Sequence, residues 1–132
     1  MKILTAAITL GLSLSLGSLV GASAANVEGR WSTGRKAVFV LHQDGEKLTG
    51  LIDSGPGERS YKIVDGMVHD NEISFYVLHD DKDDPEVIEN GGHAFRNTAK
   101  GTIMGDRMAI SGAREASGLR PYKLVLTRIG GQ

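Results

Sequence analysis

The sequence predicts an all-β protein, a single eight-stranded antiparallel up-and-down β-barrel that follows an N-terminal signal peptide. Three observations predict it. Beyond Ala25 no stretch keeps a helical period for even about ten residues. Period-2 alternation of apolar and polar residues recurs instead, in short runs bounded by turn signals. The turns share one cadence: Asp44-Gly45-Glu46 before KLTG, Asp70-Asn71-Glu72 before ISF, and Gly105-Asp106-Arg107 before MAISG. Asp, Asn and Gly tolerate the positive φ of tight hairpins, so each joint predicts a hairpin and their succession a meander.

The N-terminal segment stands apart from the fold. Met1-Lys2 is a short positive start, Ile3 to Val20 is apolar apart from small Ser, Thr and Gly, and Ala22-Ser23-Ala24 has the small-x-small form that a signal peptidase accepts. Residues 1–24 are therefore expected as a signal peptide and residues 25–132 as the β-barrel domain. No basic stop-transfer cluster follows, so the expectation is a secreted or periplasmic chain with no membrane contact after cleavage. The whole chain has no Cys, which leaves the core, without disulfides, to hold the fold in an oxidising space.

Eight strands are placed at residues 27–33, 36–42, 47–53, 59–68, 72–79, 93–104, 107–114 and 120–128. Asp65-Gly66 is read as a glycine bulge inside a bent fourth strand, because a turn there would leave only a stub before Asp70. SGPGE and ASGLRP carry the Gly and Pro of looser connections. Alternate side chains share a face, so Ile73, Phe75 and Val77 make an inward row that continues to His79. Met108 with Ile110, Tyr122 and Leu124 with Leu126, and Phe39 with Leu41 make similar rows. Closure into a barrel removes exposed strand edges; a two-sheet sandwich is the alternative.

At the two ends of the barrel region, VEGRW, with Gly29-x-Trp31 on the first strand, and VLTR, with Arg128 on the last, resemble the closing signature of calycin-type barrels. That structural group holds lipocalins, fatty-acid-binding proteins and avidins. The resemblance implies that Trp31 lies under the barrel floor with Arg128 across its ring, a cation–π contact where first and last strands meet. The segments KLTG, DGMV, EISF, KGTIMGD and ISG are similar to those of small secreted bacterial β-domains of unassigned function. Avidin's biotin pocket needs several tryptophans, and this chain has one, so no biotin residues carry over.

Composition excludes some functions. Without Lys2 the 15 basic residues become 14, scattered among 16 acidic ones, and form no face dense enough for nucleic acid. No Gly-x-Ser-x-Gly elbow, metalloprotease His pair or phosphate-cradling loop is present, and no catalytic residue or cofactor is assigned.

The stretch HDDKDDPEVIENGGH, His79 to His93, is the feature most open to a functional reading. Loop symmetry across the fifth and sixth strands could set His79 opposite His93 at one mouth. Asp81 and Asp83 would then be the nearest additional candidates for a metal ion such as Zn²⁺. The loop's length, its Asn90-Gly91-Gly92 hinge and the apolar Val87-Ile88 pair fit a gate or contact loop better. Gly50, Ala99, Gly101 and Gly112 are expected to face inward, and they either leave room beside Phe39, Phe75 and Ile103 or relieve crowding at strand bends.

The leading expectation is a non-enzymatic exported barrel that binds a small, mostly apolar ligand. Phe75, Val77, Ile103 and Tyr122 would line the site, with His79 and His93 at the rim. The alternatives are a module that presents the 79–93 loop to an exported protein, and a metal-dependent site at the two histidines.

Overall fold

The computed structural model describes residues 24–114 and 121–130. The expected signal segment therefore lies outside the described residues except for Ala24, as do most of the ASGLRP connection and Arg120 of the predicted last strand. The strands are β1 (Gly29–Ser32), β2 (Val38–Asp44), β3 (Lys47–Asp53), β4 (Tyr61–His69), β5 (Glu72–His79), β6 (Phe95–Met104), β7 (Arg107–Arg114) and β8 (Tyr122–Ile129). Each pairs antiparallel with the next, and β8 pairs with β1, closing the barrel in sequence order. The sandwich alternative is excluded, and the architecture is compatible with a calycin-like fold.

Three hairpins turn at one end of the barrel, between β2 and β3, β4 and β5, and β6 and β7. Each has positive φ at its first central residue, with Gly45 at 64°, Asp70 at 53° and Gly105 at 65°. That geometry matches the strand twist, which is why these three joints were legible. The pairing register shifts in β4 between Val64 and Met67, with Asp65 at φ 51°, so the bulge expected at Asp65-Gly66 is present. One element was not expected: a short helix, α1 (Pro85–Glu89), between β5 and β6. Asp84 caps it and Pro85 starts it, but one and a half turns are too few to register as a helical period.

The core is a single cluster drawn from the inward parity of the strands, including Phe39, Leu41, Leu48, Ile63, Ile73, Phe75, Val77, Ile103, Met108, Ile110 and Leu126. Phe39 and Phe75 meet edge to face with ring centroids 6.2 Å apart. Phe75, Val77 and Ile103, expected as ligand contacts, are packed into this cluster.

The inward glycines mark close backbone approach. A Cβ added at Gly50 would stand 2.2 Å from Val40 O, at Gly101 2.2 Å from Ala109 O, and at Gly112 1.8 Å from Thr98 O. Their missing side chains admit the neighbouring strand, as the crowding alternative held, rather than space for a ligand.

The hairpin end is floored by the N-terminal segment. Val27 N–H donates to Gln43 Oε1 at 2.7 Å, and Gln43 Nε2 donates back to Ala25 O at 2.8 Å. Trp31 is fully buried above it, its Nε1–H donating to Val27 O at 3.0 Å. In the β1–β8 register Trp31 stands opposite Arg128, and a Cβ on Gly29 would lie 3.7 Å from Arg128 Nη1. The opposite end, where the longer connections lie, is the mouth.

Candidate functional site

At the mouth the inward rows change character. On β5 the apolar row ends in His79, on β6 it passes through Phe95 and Asn97, on β7 it ends in Arg114, and β4 and β8 contribute Tyr61 and Tyr122. The rings form a column: Tyr61 to His79 with centroids 4.4 Å apart, His79 to Phe95 at 4.6 Å and nearly parallel, then Arg114 with its guanidinium carbon 4.7 Å from the Phe95 centroid.

The loop after β5 roofs this column. Asp84 and Val87 are each only 1% exposed, so the loop is part of the interior at these points. Asp84 Oδ1 accepts from Glu86 N–H at 2.9 Å, the usual N-cap bond, while Oδ2 lies 3.1 Å from His79 Nδ1. Arg59, from the β3–β4 connection, pairs with Asp81 and donates to Asp83 O at 3.1 Å. Arg114 pairs with Glu86 and reaches Glu89 at 3.6 Å. Two arginines, one from the β3–β4 connection and one from β7, therefore hold the roof down.

The polarity of the site follows from the carboxylate. Burial acts to raise the Asp84 pKa and is the largest single influence. The Glu86 N–H and the His79 bond together outweigh it, and Asp84 stays ionised below its ordinary range. An ionised Asp84 accepts from His79 Nδ1, and the other ring nitrogen, Nε2, faces the Asn97 amide. Asn97 Nδ2 lies 3.1 Å from Nε2. The other end of that amide, Oδ1, is buried and has no hydrogen-bond partner among the described residues. Asn97 lines a pocket of about 310 Å³ together with Glu86, Arg114 and Tyr122. Tyr122 donates its hydroxyl proton to Thr98 O at 2.8 Å, and burial raises the pKa of this phenol; burial, then the Asp84 and Glu86 carboxylates, raise that of Tyr61.

The structure separates the two histidines of the sequence reading. Opposite His79 in the ladder stands Phe95, not His93, because β6 begins two residues later than expected. His93 is exposed outside the paired strands, where its carbonyl accepts from Asn90 Nδ2 at 2.8 Å. His79 is 4% exposed and already bonded on both ring nitrogens. Asp81 is held by Arg59, and among the described residues no group of three or more His, Asp or Glu side chains is placed to hold a metal ion.

Tyr122 is the one expected ligand contact that lines the mouth pocket. Asn97, Arg114, Tyr61 and Phe95 were missed. A signal existed: Asn97 and Arg114 are polar residues at inward parity, near the mouth ends of β6 and β7.

In comparisons with known proteins, the chain matches no protein-family model, no curated protein and no solved structure. The class defined here is therefore the closed eight-stranded up-and-down barrel with a roofed polar mouth.

Proposed function

We propose that this is an exported, non-enzymatic barrel of calycin-like shape that binds a small ligand at its mouth. The observation that carries the reading is the mouth pocket between Glu86, Asn97, Arg114 and Tyr122, where Asn97 also keeps a buried acceptor, Oδ1, without a partner among the described residues. An orphaned buried acceptor costs about 1–3 kcal/mol. The ligand sits above the packed apolar interior rather than among Phe75, Val77 and Ile103. Native mass spectrometry of untagged protein from its own host, followed by solvent extraction, is expected to give a stoichiometric small molecule. Recovery of ligand-free protein that takes up nothing from a host extract would overturn the proposal.

A second reading, a protein-binding module that presents the 79–93 loop, is favoured by Ile88, which projects from α1 with 61% of its surface exposed. An Ile88→Glu substitution would then abolish capture of the exported partner without unfolding the barrel.

A further inference from the structure

We infer that the outer wall of the barrel carries a second binding site, separate from the mouth, that takes a small amphoteric molecule. Its ligand bears an ammonium and a carboxylate on a short apolar body, the chemistry of an amino acid.

The first argument is shape. A groove of about 510 Å³ crosses β4, β5, β6 and β7 on the outside of the barrel, within the size range of ligand sites and larger than the mouth pocket. The outside of a closed barrel is convex, so a groove there needs a bend in the sheet. Gly101, opposite Ile73 at the base of the groove, supplies it. A Cβ at Gly101 would stand 2.2 Å from Ala109 O, so β7 closes on β6 only because that atom is missing.

The second argument is charge that the fold leaves unspent. Glu72 and Lys100 both line the groove and are exposed. Ser74 faces Lys100 and Glu72 faces Thr102 in the β5–β6 ladder, so the two charges are diagonal neighbours, which stand about 7–8 Å apart. Among the described residues Lys100 has no ion pair, and Glu72 acts only at a distance on His69, whose ring is bonded to Glu46 and lies 3.6 Å from Asp70. The hydroxyls of Ser74 and Ser111 flank Lys100 in register, and neither is hydrogen-bonded among the described residues.

A ligand carboxylate therefore meets an ammonium with a hydroxyl donor on either side, while a ligand ammonium meets Glu72. An anion alone has Glu72 against it, and a cation alone has Lys100 against it. A molecule that carries both charges has neither. Beside them Met67, 55% exposed, offers a flexible apolar surface to the rest of the ligand.

Free amino acids and short peptides both carry this pair of charges, and the two sources separate experimentally. The folded ¹⁵N-labelled protein is titrated with leucine, with alanyl-leucine, with 4-methylvalerate, which lacks the ammonium, and with isoamylamine, which lacks the carboxylate. The expected result is that leucine or the dipeptide shifts the backbone amides of Ser74, Lys100, Gly101 and Ser111 with an affinity of about 1 mM. Each single-charge analogue binds about threefold or more weakly, the scale of one exposed charge pair. Glu72→Gln and Lys100→Gln weaken binding by a similar factor. Lys123→Gln, which alters the lysine next to Ser111 outside the groove, leaves it unchanged. Tighter binding of leucine assigns the ligand to free amino acids, and tighter binding of alanyl-leucine assigns it to short peptides.

A single-charge analogue that binds as tightly as leucine and the dipeptide, an equal loss in Lys123→Gln and Lys100→Gln, or no shift along the groove would each overturn the inference. The Arg114 and Tyr122 resonances report on the mouth in the same spectra, so failure of the outer site and failure of the mouth reading are told apart.

Discussion

The guanidinium carbon of Arg128 lies 4.4 Å from the Trp31 ring, and the same group donates to Glu28 O at 3.0 Å and Asn26 O at 2.7 Å. Its Nε also donates to Asp106 Oδ1 at 2.9 Å. One side chain thus covers the indole, ties the N-terminal floor segment and anchors the β6–β7 hairpin. Arg128→Ala is expected to cost about 2–4 kcal/mol, from the cation–π contact and the charge-assisted bonds together. Arg128→Lys should recover only part of this, because an ammonium cannot span those partners as a planar fork does. Urea unfolding monitored by Trp31 fluorescence measures both, and equal stability of the Lys variant would refute the account.

Gly112 tests the claim that the inward glycines serve strand approach. A Cβ there meets Thr98 O at 1.8 Å and the Tyr122 hydroxyl at 2.7 Å, so both strands must move. Gly112→Ala should destabilise the barrel by about 1–3 kcal/mol and shift the Tyr122 ring resonances. An unchanged melting temperature would mean the barrel has slack at this point.

Asp84 holds His79 from within the roof. Asp84→Asn keeps the cap and its size but loses the charge, and at neutral pH should cost about 1–3 kcal/mol. The Asp84 pKa is lowered on folding, so its contribution is present above its ordinary value of 3.8 and is lost as pH falls through the lower folded value. The gap between the wild type and Asp84→Asn should therefore close at strongly acid pH. Urea midpoints from pH 2 to 7 give the answer.

His69 provides a pH effect of opposite sign. Its pKa is raised by the hydrogen bond to Glu46, at 2.9 Å, and then by Asp70. The stabilisation is complete below the ordinary value of 6.5 and disappears as pH rises through the raised one. The site is solvent-exposed and the effect small, so it is read as a difference: Glu46→Gln should flatten the decline in melting temperature between pH 6 and 9. A decline of the same slope in both proteins would exclude the pair as its source.

The roof is itself part of the folded interior. Replacing residues 80–92 by Asn-Gly removes buried Asp84 and Val87 and leaves Arg114 without Glu86, so a marked loss of stability is expected. Ile88→Glu, on the exposed side of α1, should leave the thermal midpoint within about 2 °C, as isolated surface substitutions do.

Much of this architecture was readable because local chemistry dictated it. Alternating parity and the Asp, Asn and Gly turns between β2 and β3, β4 and β5, and β6 and β7 specify hairpins that neighbours pair in order. Gly29, Trp31 and Arg128 were legible through their resemblance to a known closure. The candidate site was far less so. His79 and the carboxylates of its loop stood out, but their partners were assigned wrongly: parity alone could not tell that β6 starts at Phe95, and so could not separate His79 from His93.

The sequence by itself determined strand count, order and inward rows, since a period-2 pattern and a tight turn are properties of residues adjacent in the chain. Only the tertiary structure decided that the loop after β5 is a buried roof, that Asp84 orients His79, and that Asn97 is left with an unanswered acceptor. The physical reason is distance along the chain. Asn97 meets His79 across 18 residues, and Arg114 meets Glu86 across 28. Such contacts arise only once closure of the barrel gathers four strand ends around one mouth.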